Sequence, residues 1–359
     1  MTRMARQSMS ARKATVGSAA MVVAGLALVI GAAAPGQAVP VAATAGARSV
    51  PDCGAATAAG VPAAQRTHAA AATEAAPATA VTGSAAQKLA YGLAPEAPIG
   101  LWSSSNVTLR TPVAKGTVHL DVTTHGFIAD SLLMQRYDAK THRWVDLDVR
   151  SAGSGSPNKG RFSFPVSAAA SPGRPATVAL RVQAIDRPGR LDVSASVDDG
   201  HGHTYRAPTR STVVDRPTTG VTGWSDGAGL VRGGAAKEFD LRVKNTTKRA
   251  YPELNAGFSA YGQGGDRFVA PKDLVLQQYV PERGWQHVPL VPSGCDPGMS
   301  AALVPTAKKP LAPGATAVYR LRLAVAPDAP VAKVEAGLSV GNGDTSLSYR
   351  SLPFAIRAR

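Results

Sequence analysis

L-L-M-Q-R-Y-D-A-K-T-H-R-W-V-D-L-D-V, from Leu132 to Val149, is echoed by L-V-L-Q-Q-Y-V-P-E-R-G-W-Q-H-V-P-L, from Leu274 to Leu290. Each reads as a β-hairpin, because apolar and polar residues alternate with a period of two on both sides of a short polar turn. Alternation places Leu132, Met134, Val145, Leu147 and Val149 toward a core. It sends Tyr137 and Trp144 to the opposite face, at either side of a turn. Tyr279 and Trp285 repeat the arrangement. Two readings of these four aromatics stand. They clasp the hairpin as cross-strand pairs, worth about 0.2–1 kcal/mol over alanine pairs, or they are platforms for sugar rings and hence the candidate binding residues. The clasp is the stronger reading, since a pair at a turn needs no ligand.

Working outward, the duplication continues. P-G-R-P-A-T-V-A-L-R-V from Pro172 lines up with P-G-A-T-A-V-Y-R-L-R-L from Pro313, so that Leu180, Arg181 and Val182 answer Leu321, Arg322 and Leu323. L-D-V-S-A-S-V-D-D-G (Leu191 to Gly200) answers V-E-A-G-L-S-V-G-N-G (Val334 to Gly343). Asp199-Gly200 and Asn342-Gly343 are dipeptides that favour two-residue hairpin turns. Val118, Leu120 and Val122 in one copy, and Phe239, Leu241 and Val243 in the other, alternate as half-buried strands do. An all-β fold follows: two tandem β-sandwiches of immunoglobulin type, each of about seven strands, over residues 98–216 and 217–359. The second is expected to carry an insertion near 246–268, whose Tyr251, Phe258, Tyr261 and Phe268 suit added strands. That difference makes the second domain the better-placed one for a partner contact.

The Q-x-Y…W hairpin, the later P-G-x-x-x-x-x-x-L-R-[VL] and the strand ending K-N-T-T (Lys244 to Thr247) resemble the immunoglobulin-like repeats of secreted surface proteins from high-GC Gram-positive bacteria. The resemblance covers both repeats but not the residues before them. It implies the sandwich architecture and an extracellular setting, and carries no catalytic residue across.

Before the repeats, Arg3, Arg6, Arg12 and Lys13 precede an apolar run from Ala19 to Ala34 and then P-G-Q-A. Basic region, apolar region and small-residue cleavage site make residues 1–38 a secretory signal peptide. Retention as an anchor is the alternative, and no stable membrane anchor is expected. Residues 39–97 are rich in Ala, Pro and Thr and poor in large apolar side chains, which reads as a disordered arm. The leader holds four of the 39 basic residues and no acid, so the mature chain keeps 35 against 24 acids, a net charge of +11. A secreted basic protein meets anionic surfaces. An anionic cell-wall polymer or a surface protein is therefore the expected partner, although the charge serves solubility equally well. The basic residues are scattered without the stripe that nucleic-acid binders show, so no nucleic acid is expected. Cys53 and Cys295, an even count in an exported chain, are expected to form one disulfide; pairing with another molecule and free thiols remain the alternatives.

Catalytic signals are sparse. G-W-S-D-G (Gly223 to Gly227) has the spacing of a nucleophile elbow around Ser225, but T-T-G-V-T before it and A-G-L-V-R-G-G after it are not a buried strand and a helix. His201 and His203 sit beyond an Asp-Asp-Gly turn without a third ligand, and Asp198 and Asp199 lack calcium-loop spacing. No metal and no cofactor is expected. A non-catalytic surface or matrix protein is thus the leading reading. A secreted hydrolase, or an accessory module of one, with its site in the second domain is the alternative. The tripartite leader predicts that secreted material begins at Val39; N-terminal sequencing checks this, and recovery only from membranes with the leader intact would contradict it.

Overall fold

The computed structural model describes residues 77, 78, 80–151, 155–293, 297–307 and 309–359. The signal peptide, the arm up to residue 76, and Cys53 and Cys295 of the expected disulfide lie outside the described residues.

The first sandwich comprises β1 (Leu89–Leu93), β2 (Ser103–Leu109), β3 (Val113–His125), β4 (Leu132–Asp138), β5 (Arg143–Leu147), β6 (Val149–Ser151), β7 (Lys159–Ala168), β8 (Ala176–Ala184), β9 (Gly189–Asp198), β10 (Thr204–Arg206) and β11 (Arg210–Val214). One sheet has the order β1-β2-β8-β4-β5; the other runs β10-β9-β3-β7-β6, with β11 also on β9. Side chains that alternate along β3 explain the pairing of layers. Val118, Leu120 and Val122 are buried, as are Phe162 and Phe164 on β7 and Leu191, Val193 and Val197 on β9. Their apolar face needs a second sheet to cover it.

The second sandwich comprises β12 (Thr218–Thr222), β13 (Ala228–Val231), β14 (Lys237–Lys244), β15 (Leu254–Gly264), β16 (Arg267–Phe268), β17 (Leu274–Val280), β18 (Gly284–His287), β19 (Val291–Pro292), β20 (Met299–Ala302), β21 (Thr316–Val325), β22 (Ala332–Asn342), β23 (Thr345–Ser351) and β24 (Phe354–Arg357). Its first sheet, β12-β14-β21-β17-β18, repeats the order of β1-β2-β8-β4-β5. Its second runs β13-β24-β22-β15-β20-β19, with β16 on β15 and β23 on β22. In both copies a segment near the start runs parallel to the closing strand. Glu96 bridges Val213 in parallel, and β13 pairs with β24 in parallel from Ala228↔Phe354 to Val231↔Arg357.

Four sequence expectations change here. The first sandwich reaches back into the stretch assigned to the arm, because L-A-Y-G-L of β1 buries Leu89 and Tyr91 and pairs along all of its length with β2. The stretch near 246–268 is mostly a counterpart rather than an addition. β15 takes the place of β3, between β22 and β20 as β3 lies between β9 and β7. The extra chain is the longer β14–β15 connection and the short β16. Val145, expected in the core, is 41% exposed, because it stands toward the turn end of the edge strand β5, whereas Leu147 on the same face still packs against the core. The turn dipeptides also differ: Asn342 pairs with Thr345, so the two-residue loop is Gly343-Asp344. In the first copy, Asp198 pairs with Thr204 around a longer loop.

Only Asp215, Arg216 and Pro217 separate β11 from β12, and both sandwiches belong to one compact unit. The junction is built from the longer β14–β15 connection. Tyr251 is fully buried, and its hydroxyl donates to the Ile99 carbonyl at 3.0 Å. Arg249 donates to the Trp102 carbonyl at 2.7 Å, the Lys248 backbone N–H to the Glu96 carboxylate at 3.0 Å, and Asn342 to the Gly100 carbonyl at 3.2 Å. Arg216 donates to the Leu347 carbonyl from the other side of the linker. Gly100 has φ +78°, and a Cβ there would lie 3.2 Å from the Thr345 side chain. The left-handed backbone and the close approach both call for glycine. Burial pushes the Tyr251 phenol pKa upward, so it stays a donor.

The β15–β17 corner is held by charge. Arg267 grips the fully buried Asp273 with two bonds, 2.6 and 3.1 Å, and the Ala270 N–H donates to the same carboxylate at 2.7 Å. Burial alone raises the Asp273 pKa, but these hydrogen bonds outweigh it and hold the carboxyl below its ordinary value. The pair therefore contributes stability above the unfolded carboxyl pKa of about 3.9, and loses it as pH falls through the lower folded value. Arg267→Ala leaves the buried charge alone. We expect it to destabilise the fold at pH 7, by less than breaking a fully buried pair would, because Arg267 is 42% exposed and the Ala270 N–H still serves the carboxylate. Urea melts should show that deficit shrinking below about pH 4 as Asp273 protonates; a deficit independent of pH would contradict this.

Candidate functional site

The outer face of each hairpin sheet carries the repeated aromatics. Tyr137 and Trp144 are direct partners across β4–β5, and Tyr279 and Trp285 across β17–β18. Their rings meet edge to face, with centroids 5.4 and 5.7 Å apart. Residues that sequence reading left in the background complete each cluster. The Arg181 guanidinium of β8 lies 4.3 Å from the Trp144 ring centre, and that of Arg322 of β21 lies 4.5 Å from Trp285. Gln135 accepts from Arg181 Nε at 2.6 Å, and Gln277 accepts from Arg322 Nε at 2.7 Å. A central-strand cation is thus spread over an edge-strand indole and aimed by a glutamine. Tyr137 is buried, and Trp144, Tyr279 and Trp285 are half-buried. The signal was present in the sequence: Gln stands two residues before Tyr in both hairpins, and L-R-[VL] recurs. Counting arginines as scattered charge hid it.

The two clusters diverge at four matched positions. In the first sandwich Trp102 stacks on the other side of Arg181, 4.5 Å from the guanidinium. Its neighbour Ser103 pairs with Val182 as Lys237 pairs with Leu323, so Ala236 occupies the matching place in the second. Ser104 and Asn106 on β2 are answered by Glu238 and Asp240 on β14, and Ala179 on β8 by Arg320 on β21. Arg320 lies 4.7 Å over Tyr279 and 5.9 Å from Trp285. Ala236 leaves the place of that indole open, and beyond Glu238 on the same sheet lies a concavity of about 260 Å³ lined by Thr222, Gly223, Glu238, Phe239, Asp240, Trp285, Arg320 and Leu321. Asp240 has one ion pair, 3.9 Å to Arg242. Glu238 has no hydrogen-bond or ion-pair partner among the described residues, and its side chain is exposed.

The remaining candidates fall elsewhere. Ser225 sits in the turn between β12 and β13, where its carbonyl accepts from the Ala228 N–H at 3.1 Å. Neither flank is the buried strand and helix that an elbow needs. The motif instead seats Trp224, which packs edge to face on Phe239 and Phe354 at 4.9 and 5.9 Å. His201 and His203 belong to a loop organised by Asp199. Its carboxylate accepts from both backbone N–H groups, at 2.7 and 3.1 Å, and contacts His203 Nδ1 at 2.9 Å. Those bonds, the His201 one foremost, hold the Asp199 carboxyl below its usual range. Among the described residues no group of three His, Cys, Asp or Glu side chains could hold a metal ion, and no helix is long and apolar enough to cross a membrane.

No protein-family model and no curated protein matches the chain. Among solved structures, the C-terminal domain of the Streptococcus pyogenes antigen I/II-family protein AspA is 11% identical. It covers 75% of this chain and 99% of its own, at a TM-score of 0.41. The C-terminal domain of the Streptococcus agalactiae AgI/II polypeptide BspA is 10% identical over 74% of this chain and 99% of its own, at 0.35. AvmM, which catalyses macrocyclization in alchivemycin A biosynthesis, is 16% identical over 39% of this chain and 88% of its own, at 0.30. Likeness of this degree moves no residue role to this chain.

The geometry assigns the repeated aromatics a measurable structural share. Trp144→Ala and Trp285→Ala should each lower stability by about 1–2 kcal/mol, the sum of an edge-to-face pair and a partly exposed cation–π contact. Arg322→Lys should lose a smaller part, since lysine keeps the charge without the flat stack. Thermal melts check both; unchanged stability in the tryptophan variants would contradict the clasp.

Proposed function

We propose that the protein is a non-catalytic secreted surface or matrix protein. Its two-sandwich body binds a cell-wall polymer or another surface protein through the outer face of the second sandwich. The observation that carries this reading is the copy-specific concavity at Trp285. Duplicated sandwiches share their core and their aromatic clasp, yet on this face the second places Glu238, Asp240 and Arg320 around an open hollow where the first has Ser104, Asn106 and Ala179. Groups that stabilise the sheet recur in both copies; groups present in one copy are free to serve contact. The lining has no serine, cysteine or histidine, so no triad of that kind meets there, and its two carboxylates make release of soluble sugar the outcome that separates holding from cleaving.

The leader and the spacer before Leu89 support an extracellular setting. The charge of +11 calculated for the mature chain supports attraction to an anionic envelope, as a long-range and salt-screened effect. The two contributions separate by salt: attraction of scattered surface charges weakens within a Debye length of about 8 Å at physiological ionic strength, whereas contact in a concavity persists. In a pull-down of the mature protein on purified cell wall, retention should fall as salt rises but level off above zero, with no soluble sugar released. Absence of retention at every salt concentration would contradict binding to the wall, and steady release of soluble sugar would favour a hydrolase.

A further inference from the structure

We infer that the concavity on the second sandwich is a binding site for one ring of an uncharged saccharide, an inference that rests on the proposed role of that face and names its ligand class. Charge narrows the ligand first. Glu238 and Asp240 share the hollow with Arg320, while Arg242 lies 3.9 Å from Asp240 and Arg322 lies 4.5 Å over Trp285, so charges of both signs alternate at its edge. A phosphate or uronate polymer would have to approach both carboxylates at contact, although the whole protein attracts it from a distance. A basic peptide meets the reverse conflict, because the body as a whole is strongly positive. A neutral polyol escapes both.

The chemistry of the lining fits a sugar ring. Among the described residues Glu238 has its oxygens unengaged, and Asp240 has only the 3.9 Å contact with Arg242. Ionised carboxylates accept and do not donate, and a sugar's hydroxyl groups are the donors they lack. Arg320, held over Tyr279 rather than on either carboxylate, keeps N–H groups for ring or hydroxyl oxygens. Trp285 supplies apolar surface and an indole N–H, which has no hydrogen-bond partner among the described residues and which aromatic residues at wet sites turn to use. The volume of about 260 Å³ falls just under the roughly 300–1,000 Å³ of sites for drug-sized ligands, which suits one ring with its neighbours trailing over the rim.

The first sandwich supplies the control. There the same clasp is closed by Trp102 against Arg181, and Ser104, Asn106 and Ala179 stand in place of the charged lining. Crowding the Glu238 edge of the hollow and leaving the sheet intact should therefore be possible with one substitution, Ala236→Trp, which restores the indole of the first copy at a half-buried position outside the core, two residues before Glu238 on the same face.

The test is calorimetric titration of the mature full-length protein with chitotetraose and cellotetraose, at low and high salt, with poly(glycerol phosphate) and tetralysine as charged comparators. We expect an uncharged oligosaccharide to bind with little change across salt. Ala236→Trp and the double variant Glu238→Gln/Asp240→Asn should each weaken it about tenfold or more, as lost hydrogen bonds of roughly 1.4 kcal/mol would, with melting temperatures near that of the parent. Purified peptidoglycan and mucin beads, as two further arms, distinguish a wall glycan from a glycoprotein glycan. Saccharide binding that survives both variants would place the site elsewhere. Poly(glycerol phosphate) or tetralysine binding that Ala236→Trp abolishes, without saccharide binding, would assign the hollow to a charged ligand. Both results overturn the inference, as does wall retention with no heat from either oligosaccharide. Loss of wall retention in the parent would instead count against the underlying reading of the face.

Discussion

The hydroxyl of Tyr251 on the carbonyl of Ile99 is the contact on which the form of the molecule turns. A carbonyl buried at a domain boundary must find a donor or cost about 1–3 kcal/mol. Here the donor comes from the other sandwich, on a fully buried side chain. Arg249 and Asn342 satisfy the Trp102 and Gly100 carbonyls in the same way, so one loop of the first sandwich is completed only by the second. Tandem domains joined by flexible linkers satisfy their own backbones. These two share the task across a three-residue link, and the faces of both sheets are held in one frame.

That frame explains how the sequence could show so much of the fold and less of the site. Val118, Leu120 and Val122 declare a strand by themselves, because period-two alternation is local. The duplication was legible for the same reason: matched strands need matched spacing. β1 was not, since five residues with Leu89 and Tyr91 vanish inside a window averaged over some sixty alanine-rich positions. The stretch near 246–268 reads as an addition because its length and aromatics stand out locally, whereas only the sheets show that β15 takes the place of β3 and that β14 lies beside β21 as β2 lies beside β8. Alternation also overstated Val145, for it reports which way a side chain faces and not whether anything stands opposite.

The site residues were harder to see for a reason of geometry. Arg181 meets Trp144 across two strand pairings, and Arg322 meets Trp285 likewise. Nothing in the linear spacing of an arginine and a tryptophan 37 residues apart announces a stack. The comparison of copies brings it out, because the sheet register gives every residue of one sandwich a counterpart in the other. Conserved pairs then read as architecture, and the exchange of Trp102 for Ala236 reads as an opening.

The parallel pairing of β13 with β24, and of Glu96 with Val213, has a mechanical side. Parallel neighbours drawn from opposite ends of one domain slide past each other when the domain is stretched, so tension is shared by several hydrogen bonds at once. Antiparallel neighbours joined by a turn peel apart one bond at a time. Each sandwich therefore closes with the kind of seam that resists a pull along the chain.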